Sequence, residues 1–270
     1  MINKLILIIA FSVVLNANLD LKIKNILGYG AYSTHKNLIN YIFSNKSAYY
    51  DANNQVNYVL VTDKLQANGL LKLNLGSTQY IDISFTISNK PKISLKILKD
   101  ILKSLGHYYY FTEESITSDD SLKWSIKLKT AAAINPLRLS QELQANGCKV
   151  TDIIREGNNK WSYKIDSNNA NINKTEDLIV NNQLTLKKSL RPYMLKINGA
   201  SSITIDSHSG NDWYPNVVFY DENLNIIEIF RENSLHKNLK LDVPNDTKYI
   251  KIDDLFTLAN IKRGINITKE

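Results

Sequence analysis

The sequence predicts an α+β chain in which repeated α-β-β units are followed by a C-terminal all-β sandwich. Three observations predict it. Leu-Gln-Ala-Asn-Gly occurs at Leu65–Gly69 and again at Leu143–Gly147, with the variant Leu-Lys-Ser-Leu-Gly between them at Leu102–Gly106. The glycines lie 37 and 41 residues apart, within the spacing of about 20–50 residues that marks stacked supersecondary units. Lys-Trp-Ser recurs at Lys123–Ser125 and Lys160–Ser162, each time in the second expected strand of its unit. Beyond Asn182 the helical spacing of apolar residues gives way to short alternating runs between turn residues, the pattern of a sandwich.

Residues 1–17 read as a signal peptide. Lys4 precedes an apolar run from Leu5 to Leu15, which falls short of the roughly 20 residues that cross a bilayer as a helix. A cleaved leader is therefore expected, and with it a periplasmic protein without a transmembrane segment. Residues 18–55 form an N-terminal helical segment, with apolar residues at Ile23, Ile26, Leu27, Leu38, Ile39 and Ile42.

The repeat region spans residues 56–166. Its first unit is expected to have a helix over Val56–Asn68, then strands Leu70–Leu75 and Tyr80–Ile87 across a turn at Gly76-Ser77. The second has a helix over Ile93–Leu105 and strands Tyr108–Thr112 and Leu122–Leu128. In the third, Pro136 suits a first helical turn, Leu137, Leu139 and Leu143 supply the apolar face, and Lys149–Arg155 and Lys160–Ile165 form a hairpin. Each repeat glycine stops a helix, because a helix end commonly needs a residue in the left-handed region. Trp124 and Trp161 are core anchors on this reading. Residues 167–183, rich in Asn and Lys, read as a linker. Residues 184–270 carry eight short alternating runs and make the sandwich.

The formal charge is +7, with the lysines spread along the chain. That diffuse charge allows weak attraction to an acidic polymer of the cell envelope, while export argues against nucleic acid. Cys148 is the single cysteine, so it forms no intrachain disulfide and is expected to be a buried small hydrophobe.

From Ile81 to Ile154 the expected order is β-α-β-β-α-β. With Leu102-Lys-Ser-Leu-Gly106-His-Tyr-Tyr, Trp124-Ser-Ile-Lys-Leu128 and Leu143-Gln-Ala-Asn-Gly147-Cys-Lys-Val in it, the stretch resembles a SPOR domain. The resemblance implies a ferredoxin-like sheet with helices on one face, a fold that binds bare peptidoglycan strands in bacterial envelopes. Lys129-Thr130-Ala131 stands where that family has glycine-proline-phenylalanine, so the resemblance carries topology alone. Ser202-Ile-Thr-Ile-Asp206 and Val217-Val-Phe-Tyr-Asp-Glu-Asn-Leu-Asn225 are similar to jelly-roll domains appended to secreted bacterial proteins, including pre-peptidase C-terminal and carbohydrate-binding modules. Taken whole, the chain resembles periplasmic accessory proteins of campylobacter-like bacteria, some of which scaffold the flagellar motor.

No phosphate loop, nucleophile elbow, metalloprotease helix or paired-cysteine zinc spacing occurs. His35, His107, His208 and His236 are scattered. A non-enzymatic protein without a cofactor is expected. The best candidate site is the loop 206–214. Asp206, Asn211 and Asp212 are hard oxygen donors of the kind calcium takes, with Gly210 to turn the chain. Trp213 and Tyr214 offer an aromatic platform for a sugar ring or a partner, and Tyr109 is a further candidate. The same loop can equally be a polar turn with Trp213 and Tyr214 packed at the sandwich edge. The expected function is an exported scaffold or adaptor that binds envelope proteins; the alternative is a peptidoglycan-binding module.

Overall fold

The computed structural model describes residues 19–172, 175–179 and 182–270; the expected signal peptide lies outside the described residues. The chain divides into two compact units, Met1–Asn171 and Ile172–Glu270. Among the described residues, six helices and fourteen strands in three sheets make an α+β fold with a β-rich C-terminal part. No helix among them is long and apolar enough to cross a membrane.

The first unit opens with helical residues 19–27 (α1), then α2 (Tyr29–Thr34) and α3 (Lys36–Ile42). It continues through α4 (Tyr58–Ala67), β1 (Asn74–Ser88), α5 (Pro91–Ser104), β2 (Phe111–Thr117), β3 (Ser121–Ala132), α6 (Pro136–Ala145), β4 (Lys149–Arg155) and β5 (Lys160–Asp166). Local chemistry sets both ends of the repeat helices. Asn57 Oδ1 accepts from Val59 N and Leu60 N at the start of α4, and Asn135 Oδ1 accepts from Leu137 N and Arg138 N at the start of α6. These are side-chain N-caps. At the C-termini the same pair of bonds occurs three times: Leu70 N to Leu65 O and Gly69 N to Gln66 O, His107 N to Leu102 O and Gly106 N to Lys103 O, Cys148 N to Leu143 O and Gly147 N to Gln144 O. That is the Schellman closure, with a glycine at positive φ in each. The repeated pentapeptide is a helix-stop device.

The sheet of this unit has the order β2-β3-β1-β5-β4. Its neighbours are antiparallel except β1 and β5, which run parallel. The expected hairpin at Gly76-Ser77 does not form. β1 is one strand, and Asn74 and Gln79 both pair with β3, opposite Ala132 and Thr130, so the extra residues bulge out. Gly76 takes φ +78° and donates its N–H to Asn74 Oδ1 at 2.8 Å. The first repeat is therefore α-β and the other two are α-β-β. The β-α-β-β-α-β stretch is not self-contained either, because β5, from beyond it, lies between β1 and β4.

Alternation assigns the two faces of this sheet. Ile81, Ile83, Phe85 and Ile87 on β1, Leu122, Trp124, Ile126 and Leu128 on β3, and Trp161, Tyr163 and Ile165 on β5 are all buried. Phe85 stacks between Trp124 and Tyr163, each ring 5.6 Å away. α5 packs over β1 and β3, and α6 over β4.

The second unit contains β6 (Glu176–Asp177), β7 (Gln183–Leu186), β8 (Tyr193–Lys196), β9 (Ser202–Ser207), β10 (Pro215–Tyr220), β11 (Ile226–Arg231), β12 (Asn238–Asp242), β13 (Tyr249–Asp254) and β14 (Ile265–Lys269). All eight runs expected from the sequence are strands, and β6 is additional. They form sheets of order β11-β10-β13-β8-β6 and β12-β9-β14-β7, which share one core containing Leu195, Ile205, Trp213, Phe219, Ile250 and Ile267. The segment expected to be a linker is in part built into the fold: Ser167, Ala170, Ile172 and Leu178 are buried, and β6 pairs with β8. Its apolar residues are few, but most of them find a core.

Candidate interaction surface

The loop 206–214 is structural. Trp213 is 0% exposed and its Nε1 donates to Asp253 O at 2.9 Å, so the ring belongs to the core and presents no platform. Tyr214 is half-buried, edge-on to Phe256 with centroids 5.0 Å apart, and its N–H donates to Asp254 Oδ2. Asn211, also 0% exposed, donates from Nδ2 to Ser207 Oγ and Gly264 O and accepts at Oδ1 from Arg263 N. Asp206 accepts from Asn238 Nδ2 at 2.5 Å, while Asp212 is exposed. The calcium expectation thus loses its central donor: Asn211 is sealed in and holds β14's lead-in to the loop. Among the described residues no three His, Cys, Asp or Glu side chains gather as a metal site.

A residue not singled out from the sequence, Asp254, does comparable work. Its buried carboxylate accepts from Phe256 N, Thr257 N and Asn260 Nδ2 at Oδ1 and from Tyr214 N at Oδ2. Cys148 is buried, and burial pushes its thiol up from the ordinary value while Ser167 Oγ donates to Sγ at 3.6 Å. A thiol so placed is unreactive.

The exposed chemistry lies on the first unit. The second set of alternating positions on β1, β3 and β5 carries no buried side chain, and the register arranges these positions in three rows. Lys127, Asp82 and Lys160 form one; Ser125, Ser84 and Ser162 the next; Lys123, Thr86 and Lys164 the third. A central trough of small hydroxyls is therefore flanked by lysines on both sides. Ser84 Oγ and Ser125 Oγ are 3.0 Å apart. Each Lys-Trp-Ser repeat contributes through period-two alternation, its Trp going inward and its Lys and Ser outward.

The lysines are held by carboxylates. Lys127 bonds Glu113 and lies 3.4 Å from Asp82, Lys123 is 2.7 Å from Glu114, and Lys160 is 2.6 Å from Glu156. The bond to Glu113, and then that to Asp82, keeps the Lys127 ammonium above the usual lysine range. Lys129 sits over the Tyr80 ring at 5.8 Å. At the rim, on or just before edge strand β2, Phe111 is 67% exposed and Tyr109, the remaining sequence candidate, is 91% exposed. Tyr110 turns in against Trp124, edge-on at 5.6 Å.

The basic residues are spread evenly along both units, but the acidic ones are not. Residues 1–171 contain 20 Lys and Arg against 13 Asp and Glu, whereas residues 172–270 contain 13 of each. The whole excess belongs to the first unit, +7 over residues 1–171 and +6 without Lys4 of the expected leader. An uncovered face of lysines and hydroxyls on a net basic unit can hold an extended polar or acidic chain laid across its strands. Compared with known protein families, curated proteins and solved structures, the chain matches none.

Proposed function

We propose that this chain is an exported, non-enzymatic scaffold or adaptor of the cell envelope, whose basic α/β unit docks an acidic protein partner on its uncovered sheet face. The observation that carries the reading is an uncovered face with four lysines in register, on the unit that holds the chain's net positive charge. Ionic steering by such a face raises encounter rates and orients a partner before close contacts form. The sandwich, neutral and well packed, is the second module of the adaptor. The leader-like N-terminus and modular build support a periplasmic setting, in the manner of accessory proteins that scaffold flagellar motors. The absence of a catalytic motif from the sequence supports a holding role.

The test is affinity capture from envelope extract with the full-length protein, washed in low salt and then in about 0.5 M salt, where the Debye length shrinks to a few ångströms. A discrete protein partner released by salt is expected; recovery of none overturns the reading. A second reading, binding of peptidoglycan strands, is favoured by the serine row and by exposed Phe111, which pairs opposite Lys127 at the edge of the sheet with Tyr109 just before it, since hydroxyls and aromatic faces suit sugars. Co-sedimentation with purified peptidoglycan separates the two, and fractionation of cells tests export.

A further inference from the structure

α4 and α6 are two versions of one segment. Residues 57–69 and 135–147 align with a constant shift of 78 positions: Asn57 with Asn135, Gln66 with Gln144, Asn68 with Asn146. The equivalence is physical as well as sequential. Asn57 and Asn135 cap through the same bonds, and Asn68 Nδ2 and Asn146 Nδ2 each donate to the carbonyl four residues back, both at 2.8 Å. The helices pack against each other. The start of α6 meets the end of α4, where Asn135 Nδ2 donates to Gln66 Oε1 at 2.8 Å.

A two-fold relation between the helices would place the same contact at the other end, between Asn57 Nδ2 and Gln144 Oε1. It is not made. A cleft of about 270 Å³ opens there instead, lined by Asn57, Gln144, Ser140 and the apolar Val56, Val59 and Val150. Its polar groups have unused capacity. Asn57 Oδ1 is committed to the cap, which leaves its Nδ2 as a donor; among the described residues neither that amide nitrogen nor the Gln144 amide has a partner. Ser140 is 2% exposed and its Oγ is unpartnered, whereas its counterpart Thr62 donates to Tyr58 O at 2.6 Å. Buried hydroxyls are seldom left so. The cleft's Lys149 is paired with Asp51 and Gln55, so its charge is answered within the protein.

We propose that this cleft binds a neutral carboxamide, a group with one carbonyl acceptor and at least one N–H donor on a small apolar frame. The carbonyl accepts from Asn57 Nδ2, the N–H donates to Gln144 Oε1, and the frame rests on the valines. The ligand thereby restores, through itself, the amide-to-amide contact that Asn135 and Gln66 make directly at the closed end. A carboxylate lacks the N–H, and an alcohol lacks the planar acceptor.

The experiment is a titration of the ¹⁵N-labelled full-length protein, following the side-chain NH₂ resonances of Asn57 and Gln144. The probes are acetamide, N-methylacetamide and N-acetylglucosamine, with acetate and propan-2-ol as controls. Saturable shifts with the amides are expected, with acetate and propan-2-ol weaker by about tenfold or more. Gln144→Leu, and Asn57→Ser, which keeps a capping oxygen, weaken amide binding by about tenfold. Asn135→Ser, the equivalent change at the closed end, leaves it unaltered. If acetamide binds most tightly the source is a side-chain carboxamide, and if N-acetylglucosamine does it is an acetamido sugar; both support the assignment. No saturable shift with any amide overturns it, as does equal binding of acetate or full binding by the Gln144→Leu protein, whose fold is checked by thermal melting.

Discussion

In the first unit a sheet buries one face under helices and leaves the other uncovered, with Lys, Ser and Thr in register across three strands. In the second, two sheets close on one core, and the polar loop 206–214 is drawn into it through Trp213 and Asn211. The same residue types have opposite fates. Aromatic and amide side chains in a turn-rich loop become fastening elements, while the Lys-Trp-Ser alternation, in the sequence only a mark of the repeat, becomes the accessible chemistry. Loop position and residue type are thus poor guides to what a partner can reach; strand alternation against a one-sided cover is a better one.

The sharpest contrast is between the two aromatic candidates. Trp213→Ala removes a wholly buried ring and its bond to Asp253 O, and is expected to destabilise the sandwich by about 3–5 kcal/mol. Tyr109→Ala, at a 91% exposed position, is expected to change stability by less than about 0.5 kcal/mol. Denaturant unfolding followed by far-ultraviolet circular dichroism compares them, and a tolerated Trp213→Ala breaks the contrast.

A smaller difference separates the two copies of Leu-Gln-Ala-Asn-Gly. Gly69 and Gly147 have nearly the same φ, +69° and +71°. A Cβ at Gly69 meets nothing within 4 Å, whereas one at Gly147 lies 2.1 Å from Asn169 O. Gly69→Ala is expected to cost about 1–2 kcal/mol for the left-handed backbone alone. Gly147→Ala adds a backbone collision of about 1–3 kcal/mol more. Equal losses in denaturant midpoint contradict that account.

The smallest effect is pH-dependent. Burial lowers the His107 pKa from its ordinary 6.5, so the unfolded chain takes up the proton first as pH falls. The stability this histidine contributes is present above about pH 6.5 and declines as pH drops below it toward the depressed folded value. A His107→Gln protein is expected to show a flatter stability profile between about pH 7 and pH 5; unchanged slopes contradict the assignment.

These residues also show which parts of the structure were legible in the sequence. The helix stops were, because a Schellman closure needs glycine at a fixed place after the last apolar turn. The eight sandwich strands were, because period-two alternation is local. The bulge at Gly76 was not: a glycine at positive φ serves a bulge and a hairpin turn alike, and only the pairing partner distinguishes them. The insertion of β5 beside β1 depends on pairing between residues 78 positions apart, which local pattern does not encode. The loop 206–214 misled because oxygen-bearing side chains that fasten a loop are the same ones that bind calcium. The sheet face was present in the sequence as the outward residues of Lys-Trp-Ser, but its three-row register appears only once β1 separates β3 from β5.

On the proposed function, the first unit's sheet face, and not the sandwich, engages the acidic partner. The most direct measurement is retention of envelope material by the full-length protein carrying Lys123, Lys127, Lys160 and Lys164→Gln, beside one carrying Lys240, Lys248, Lys251 and Lys262→Gln. Exposed ion pairs contribute only about 0–1 kcal/mol each, so both proteins are expected to fold. Loss of the salt-sensitive partner from the first protein and its retention by the second is the predicted result; equal retention by both, or loss from the second alone, contradicts it.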